Sequence, residues 1–122
     1  MAEKQMKFLE ALEAMSGRLA EIDGLLATPE AAQNSARLRE LMRERGRLVR
    51  YVEPYRAYRE TARRRTEAEQ MAAESADAEM QALAREEAAE LAAQEAAMLE
   101  RLLEMALESE ERRDAASLIL EI

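Results

Sequence analysis

The chain has 122 residues with no cysteine, histidine or tryptophan and a net charge of −8. Its length allows one domain at most, and its composition excludes disulfides, thiolate metal sites and an imidazole general base. The apolar fraction of 48% includes 26 alanines, and aromatic residues make up only 3%. The core must therefore come from Leu, Ile, Val and Met, which suits a slender helical bundle. Charge is unevenly spread. Residues 1–36 carry 6 acids and 3 bases, residues 37–66 carry 11 arginines and 4 glutamates, and residues 67–122 carry 16 acids and 4 bases. The start, "MAEKQMKF", has no apolar run, and no stretch approaches transmembrane length, so a cytoplasmic protein that uses no membrane is expected.

Phe8, Leu12, Met15, Leu19, Ile22 and Leu26 recur at alternating spacings of four and three, which predicts a helix over 4–27 with one apolar stripe widened by Leu9 and Leu25. Gly17 and Gly24 fall opposite that stripe. Thr28, Pro29 and Glu30 read as an N-cap, a first-turn proline and a first-turn acid, opening a single turn over 29–33. Asn34 is a second N-cap. A helix over 35–73 follows from Leu38, Leu41, Leu48, Val52 and Tyr55, with Arg45 as a polar interruption. Pro54 lacks an N–H and crowds the carbonyl of Arg50, so a kink is expected there rather than an end. Met80, Leu83, Leu91, Met98, Leu102 and Met105 mark a last helix over 77–108, with Ser75 and Asp77 as its only candidate caps. The alternative is an unbroken rod from Tyr55 to Glu108, about 80 Å long. In "DAASLILEI", residues 114–122, the apolar side chains alternate as in a half-buried strand.

The charge asymmetry favours a fold-back near residues 73–77, which lays the arginine-rich helix beside the glutamate-rich one. The expected fold is all-α: an elongated, antiparallel, coiled-coil-like three-helix bundle ending in a strand remnant. The arginines have two uses. They can face the acidic helix, where each exposed pair contributes a few tenths of a kcal/mol, or they can contact RNA phosphates. Arg43, Arg47, Arg50, Arg56, Arg63, Arg64 and Arg65 form the candidate docking surface, with Arg37 beside them.

No constellation supports catalysis. The three glycines are isolated, so no phosphate-cradling loop exists. Glu86 with Glu90, and Glu100 with Glu104, have helical spacing, but no histidine completes a Glu-x-x-His metal motif. The methionines match core spacing. The tyrosines of "YVEPYRAYRE" can stack a base but more often cap a helix seam. Neither cofactor, metal nor small-molecule substrate is expected.

The stretch "LLATPEAAQNSARLRELMRERGRLVRYVEPYRAYRE" resembles the N-terminal region of bacterial class I peptide chain release factors, most closely the type reading UAA and UAG. Pro29, Glu30, Asn34, Leu38, Glu40, Leu41, Leu48, Tyr55, Arg56, Tyr58, Arg59 and Glu60 match that family's pattern without a gap. "DAEMQALAREE" resembles the acidic cap of its third helix, and "EERRDAASLILEI" the segment leading into the first strand of its next domain. The resemblance implies an N-terminal helical domain over 1–113 and a strand over 114–122 whose sheet lies beyond Ile122; without that sheet the tail is expected to be extended and mobile, paired with another chain, or absorbed into the preceding helix. It implies a parent that reads stop codons through a Pro-x-Thr-type loop and directs peptidyl-tRNA hydrolysis with a Gly-Gly-Gln loop. Neither loop is in this sequence, so the chain itself is expected to be no enzyme. The implied partners are the ribosome, near the stalk base and factor-binding region, and the recycling GTPase; self-association through the unpaired tail is a further expectation. Two alternatives stand: a free-standing coiled-coil adaptor, and the same domain of a sibling factor that reads UAA and UGA or rescues ribosomes.

Overall fold

The computed structural model describes the backbone of residues 2–121 and the side chains of residues 3–109. Four helices follow in order: α1 Ala2–Leu26, α2 Pro29–Gln33, α3 Ser35–Glu74 and α4 Ala78–Glu121. The described residues contain no strand, and the fold is all-α. Contacts divide the chain into two compact units, Met1–Arg56 and Ala57–Ile122.

In the first unit, α1 runs antiparallel to the first half of α3. Leu12, Leu19 and Ile22 are buried along the α1 stripe, and Leu41, Val52 and Tyr55 along α3. Full burial of such aliphatic side chains stabilises by about 1.5–3 kcal/mol each. Gly17 and Gly24 lie on the outer side, where an added Cβ would meet nothing. The connection departs from expectation at Thr28. Its backbone is extended and Pro29 opens α2, yet its hydroxyl makes no bond to the α2 amides. Instead Oγ1 donates to the Leu25 carbonyl at 2.7 Å and closes α1. A helix C-terminus has orphan carbonyls as surely as an N-terminus has orphan amides, and here the nearer need is met. Asn34 behaves as expected: its Oδ1 accepts from the Arg37 amide at 3.1 Å, capping α3.

Pro54 lies inside α3 and does not end it. The Arg50 carbonyl loses its i+4 donor there, but the helix goes on through "YRAYRETARRRTEAEQM".

In the second unit, the later half of α3 and α4 are antiparallel about a break at residues 75–77, so the unbroken rod is excluded. Asp77 Oδ1 caps α4 by accepting from the Glu79 amide at 3.0 Å. Gln81 Nε2 donates to the Ser75 carbonyl at 2.6 Å, tying the turn to the first turn of α4. The seam is built differently from the stripe expected. Ala68, Ala88 and Leu91 cluster, and Ala84 is also buried. Leu102 is buried as expected, whereas Met80 and Leu83 are 46% and 61% exposed. Small side chains let two helix backbones approach closely, which moves the contact line onto alanines.

Of the outcomes expected for the tail, the structure shows absorption into the preceding helix and not the strand. The last helix neither stops near residue 108 nor gives way to a strand over 114–122, because α4 continues to Glu121. A strand needs a partner for its ladder, and the described residues offer none. Continuing the helix satisfies each amide within the same segment. Ile122 lies outside the described residues.

Candidate functional site

The arginines of the candidate surface have different fates, set by where the helix turns place them. Within the first unit, the seam of α3 carries Leu41, Val52 and Tyr55, and charged positions at its edges reach across to α1. Arg18 donates to both carboxylate oxygens of Glu44, Nε to Oε2 at 2.6 Å and Nη2 to Oε1 at 2.8 Å. That fork holds the Glu44 carboxyl below its ordinary range. Arg45 Nε donates to Asp23 Oδ1 at 2.7 Å, so the polar interruption of the α3 stripe is a cross-helix ion pair. Tyr55, 5% exposed, donates its hydroxyl to Glu13 Oε2 at 2.5 Å. Arg56 reaches Ser16, with Nε to Oγ at 3.1 Å and Nη2 to the carbonyl at 3.3 Å.

Three candidates in the second unit differ in the same way. Arg63 is held by Glu60 and Glu67 on its own helix. Arg65 pairs with Glu69 at 2.9 Å and crosses to Glu95 on α4. Arg64 is exposed and makes no ion pair among the described residues, although its charge, after that of Arg63, helps depress the Glu60 carboxyl. Tyr58 is half-buried; burial, and then the Glu95 carboxylate, push its phenol above the ordinary value.

Besides Arg64, the candidates exposed without an ion pair among the described residues are those of the first half of α3. Arg43, Arg47 and Arg50 are exposed. Arg43 and Arg47 make no ion pair among the described residues, and the Arg50 guanidinium lies 5.9 Å from the centre of the Tyr51 ring. Arg39 belongs with them and was absent from the candidate set. Its signal was the i, i+4, i+8 spacing of Arg39, Arg43 and Arg47, which places all three on one helix face. Arg37 instead sits 3.6 Å from Glu40.

No group of three or more acidic residues among the described residues has the arrangement of a metal site. One open surface groove is lined by Leu25, Ala31, Asn34 and Leu41. No helix among the described residues is long and apolar enough to cross a membrane.

Comparison with known proteins places this arrangement in a family. The PCRF domain family matches residues 15–122. The chain belongs to the PCRF domain family. It is 34% identical over 113 residues to peptide chain release factor 1 of Listeria monocytogenes serotype 4a, covering 93% of this chain and 31% of that protein. The corresponding factor of Limosilactobacillus reuteri is 33% identical over 116 residues, 95% of this chain and 32% of the relative. That of Bacillus cereus is 32% identical over 114 residues. The chain thus spans about a third of the length of these curated relatives. No solved structure matches. The PCRF match covers the Asn34 cap, the arginine-rich stretch and the Asp77 cap, which are the features that carry the resemblance in sequence.

Proposed function

We propose that this PCRF domain is the N-terminal docking domain of a peptide chain release factor that terminates translation at UAA and UAG codons. The parent protein would hydrolyse peptidyl-tRNA through its codon-reading and Gly-Gly-Gln loops. This region would contribute contacts with the ribosome near the stalk base and with the recycling GTPase, in the cytoplasm. The domain would cover residues 1–113, with 114–122 leading into the next domain and becoming a strand only when paired there.

The observation that carries this reading is the PCRF match over residues 15–122. The side-chain chemistry agrees with it. The carboxylates, phenols and guanidiniums described above are engaged in helix pairing or exposed, an arrangement suited to docking. Within the candidate surface, Arg56 and Arg65 bond across to a second helix, Arg63 is paired along its own, and Arg43, Arg47, Arg50 and Arg64 remain for a partner.

The test uses purified chain and ribosomes stalled at a stop codon. The chain should pellet with ribosomes at low salt and release no peptide at any concentration. In excess it should slow release by an intact release factor 1. Peptide release above a buffer control, or absence from the ribosome pellet at low salt, would contradict the proposal. Sedimentation as a stable dimer that ignores ribosomes would favour the self-associating adaptor.

A further inference from the structure

We infer that the outward face of α3 between Arg39 and Arg50 is a binding surface for the phosphate backbone of duplex RNA. Arg39, Arg43 and Arg47 follow one another at one-turn intervals of about 6 Å, and Arg50 extends the row to about 16 Å. All four are exposed. The acids that would normally screen them are already occupied. Glu40 is beside Arg37, and Glu44 is gripped by Arg18 from α1. Glu53, at the far end of the row, is the next acid along the chain. Arg47 contributes to holding the Glu44 carboxyl ionised, but only after Arg18. The result is a local excess of positive charge in a chain of net charge −8.

The chemistry of the face selects its occupant. Every cation in the row is an arginine, whose fork of donors matches phosphate oxygens. A protein partner would need an apolar centre, and the only large apolar side chain beside the row is Met42, 51% exposed. A single strand would need exposed rings for its bases to stack on. Here Tyr51 lies beside Arg50, and Tyr55 is buried. What remains is recognition of regularly spaced phosphates on a duplex. Gly46 fits this. It falls on the same face, its added Cβ would meet nothing within 4 Å, and it makes α3 less stable than alanine would. A partner's backbone pressed against the helix gives that bare position a use. The choice of RNA over DNA rests on the ribosomal reading proposed above.

The test is a fluorescence anisotropy titration of the chain against a labelled RNA duplex about two turns long. The variant Arg39→Gln/Arg43→Gln/Arg47→Gln should bind at least tenfold more weakly at low salt. Its dependence of log affinity on log salt should flatten by about 2–3, from roughly 0.7–0.9 per lost phosphate contact. The charge-matched control Lys4→Gln/Lys7→Gln/Arg85→Gln should stay within about threefold of the parent, because exposed charges off the row act only through a screened field. Gly46→Leu should weaken binding while helicity, read by circular dichroism, stays level or rises. That outcome separates blocked approach from unfolding. Equal binding by parent and triple variant overturns the inference. So does binding of single-stranded RNA or polyglutamate as tight as that of duplex RNA. Duplex binding without ribosome pelleting would instead overturn the docking reading while leaving this surface in place.

Discussion

The two units solve the same problem, joining antiparallel helices, with different materials. Residues 1–56 carry 10 basic and 9 acidic side chains, and residues 57–122 carry 8 and 17. The near-neutral unit closes over large aliphatic residues, Leu12, Leu19, Ile22, Leu41 and Val52, edged by the Arg18–Glu44 and Arg45–Asp23 pairs. The acidic unit brings α3 and α4 together over Ala68, Ala84 and Ala88 with Leu91, and Arg65 pairs across them with Glu95. A seam of large side chains derives its stability from buried area. A seam of alanines depends on close approach, with less area per residue and less tolerance for added volume.

That contrast predicts opposite responses to substitution. Ile22→Ala, at a position with 0% exposure, should cost about 2–5 kcal/mol by urea denaturation, because it removes buried methylenes and leaves a cavity. Ala88→Leu should be next, destabilising by about 1–3 kcal/mol through overpacking against Ala68, whereas Ala89→Leu, on the exposed side, should change little. If Ala88→Leu stabilises the chain, the alanine seam is loosely packed and the contrast fails. Asn34→Ala removes the cap on α3 and should lower stability by about 1 kcal/mol, with Asn34→Asp restoring most of it. Thr28→Ala should cost less, because its hydroxyl serves a carbonyl at an exposed helix end.

The smallest effect is a dependence on pH. Glu44 is held below its ordinary value by Arg18, so its contribution is present above the unfolded value of 4.5 and lost as pH falls through the folded value. Melting measured at about pH 6 and about pH 3 should show a smaller acid-induced drop for Glu44→Gln than for the parent. Equal drops would mean that the Arg18 fork adds nothing to stability.

The same contrast explains what was legible in the sequence. The first unit announces itself: stripe spacing in α1, the Asn34 cap and the proline of α2 each leave a local signature, and the helices stand where those signatures put them. The break before α4 was readable from the charge asymmetry and the family resemblance, its candidate caps alone leaving the unbroken rod open. The second seam was not. Met80 and Leu83 satisfy helical periodicity as well as Leu91 does, and hydropathy ranks them far above alanine. Which face meets a neighbour is decided by backbone approach, and a periodic pattern does not encode that when alanines occupy several faces. The strand reading of the tail failed for a related reason, and its alternative, extension of the preceding helix, is what α4 shows. Alternation in "SLILEI" describes side chains, while the choice between strand and helix depends on whether a ladder partner is present.

The arginines were legible as a group but not as individuals. Composition shows eleven in thirty residues, and only cross-helix register separates Arg45, bound to Asp23, from Arg43, which faces solvent two positions earlier.

That separation is the central claim, and side-chain amide exchange of the arginine Nε–H groups measures it directly by nuclear magnetic resonance. Arg18, Arg45, Arg56 and Arg65 donate from Nε to Glu44, Asp23, Ser16 and Glu95, so their Nε protons should exchange slowly and resolve as separate signals. Arg39, Arg43 and Arg47, with no such acceptor among the described residues, should exchange rapidly and overlap near the free-arginine position. Uniform exchange across both groups, or protection of Arg43 equal to that of Arg18, would contradict the division of the arginines into those that hold the fold and those that face a partner.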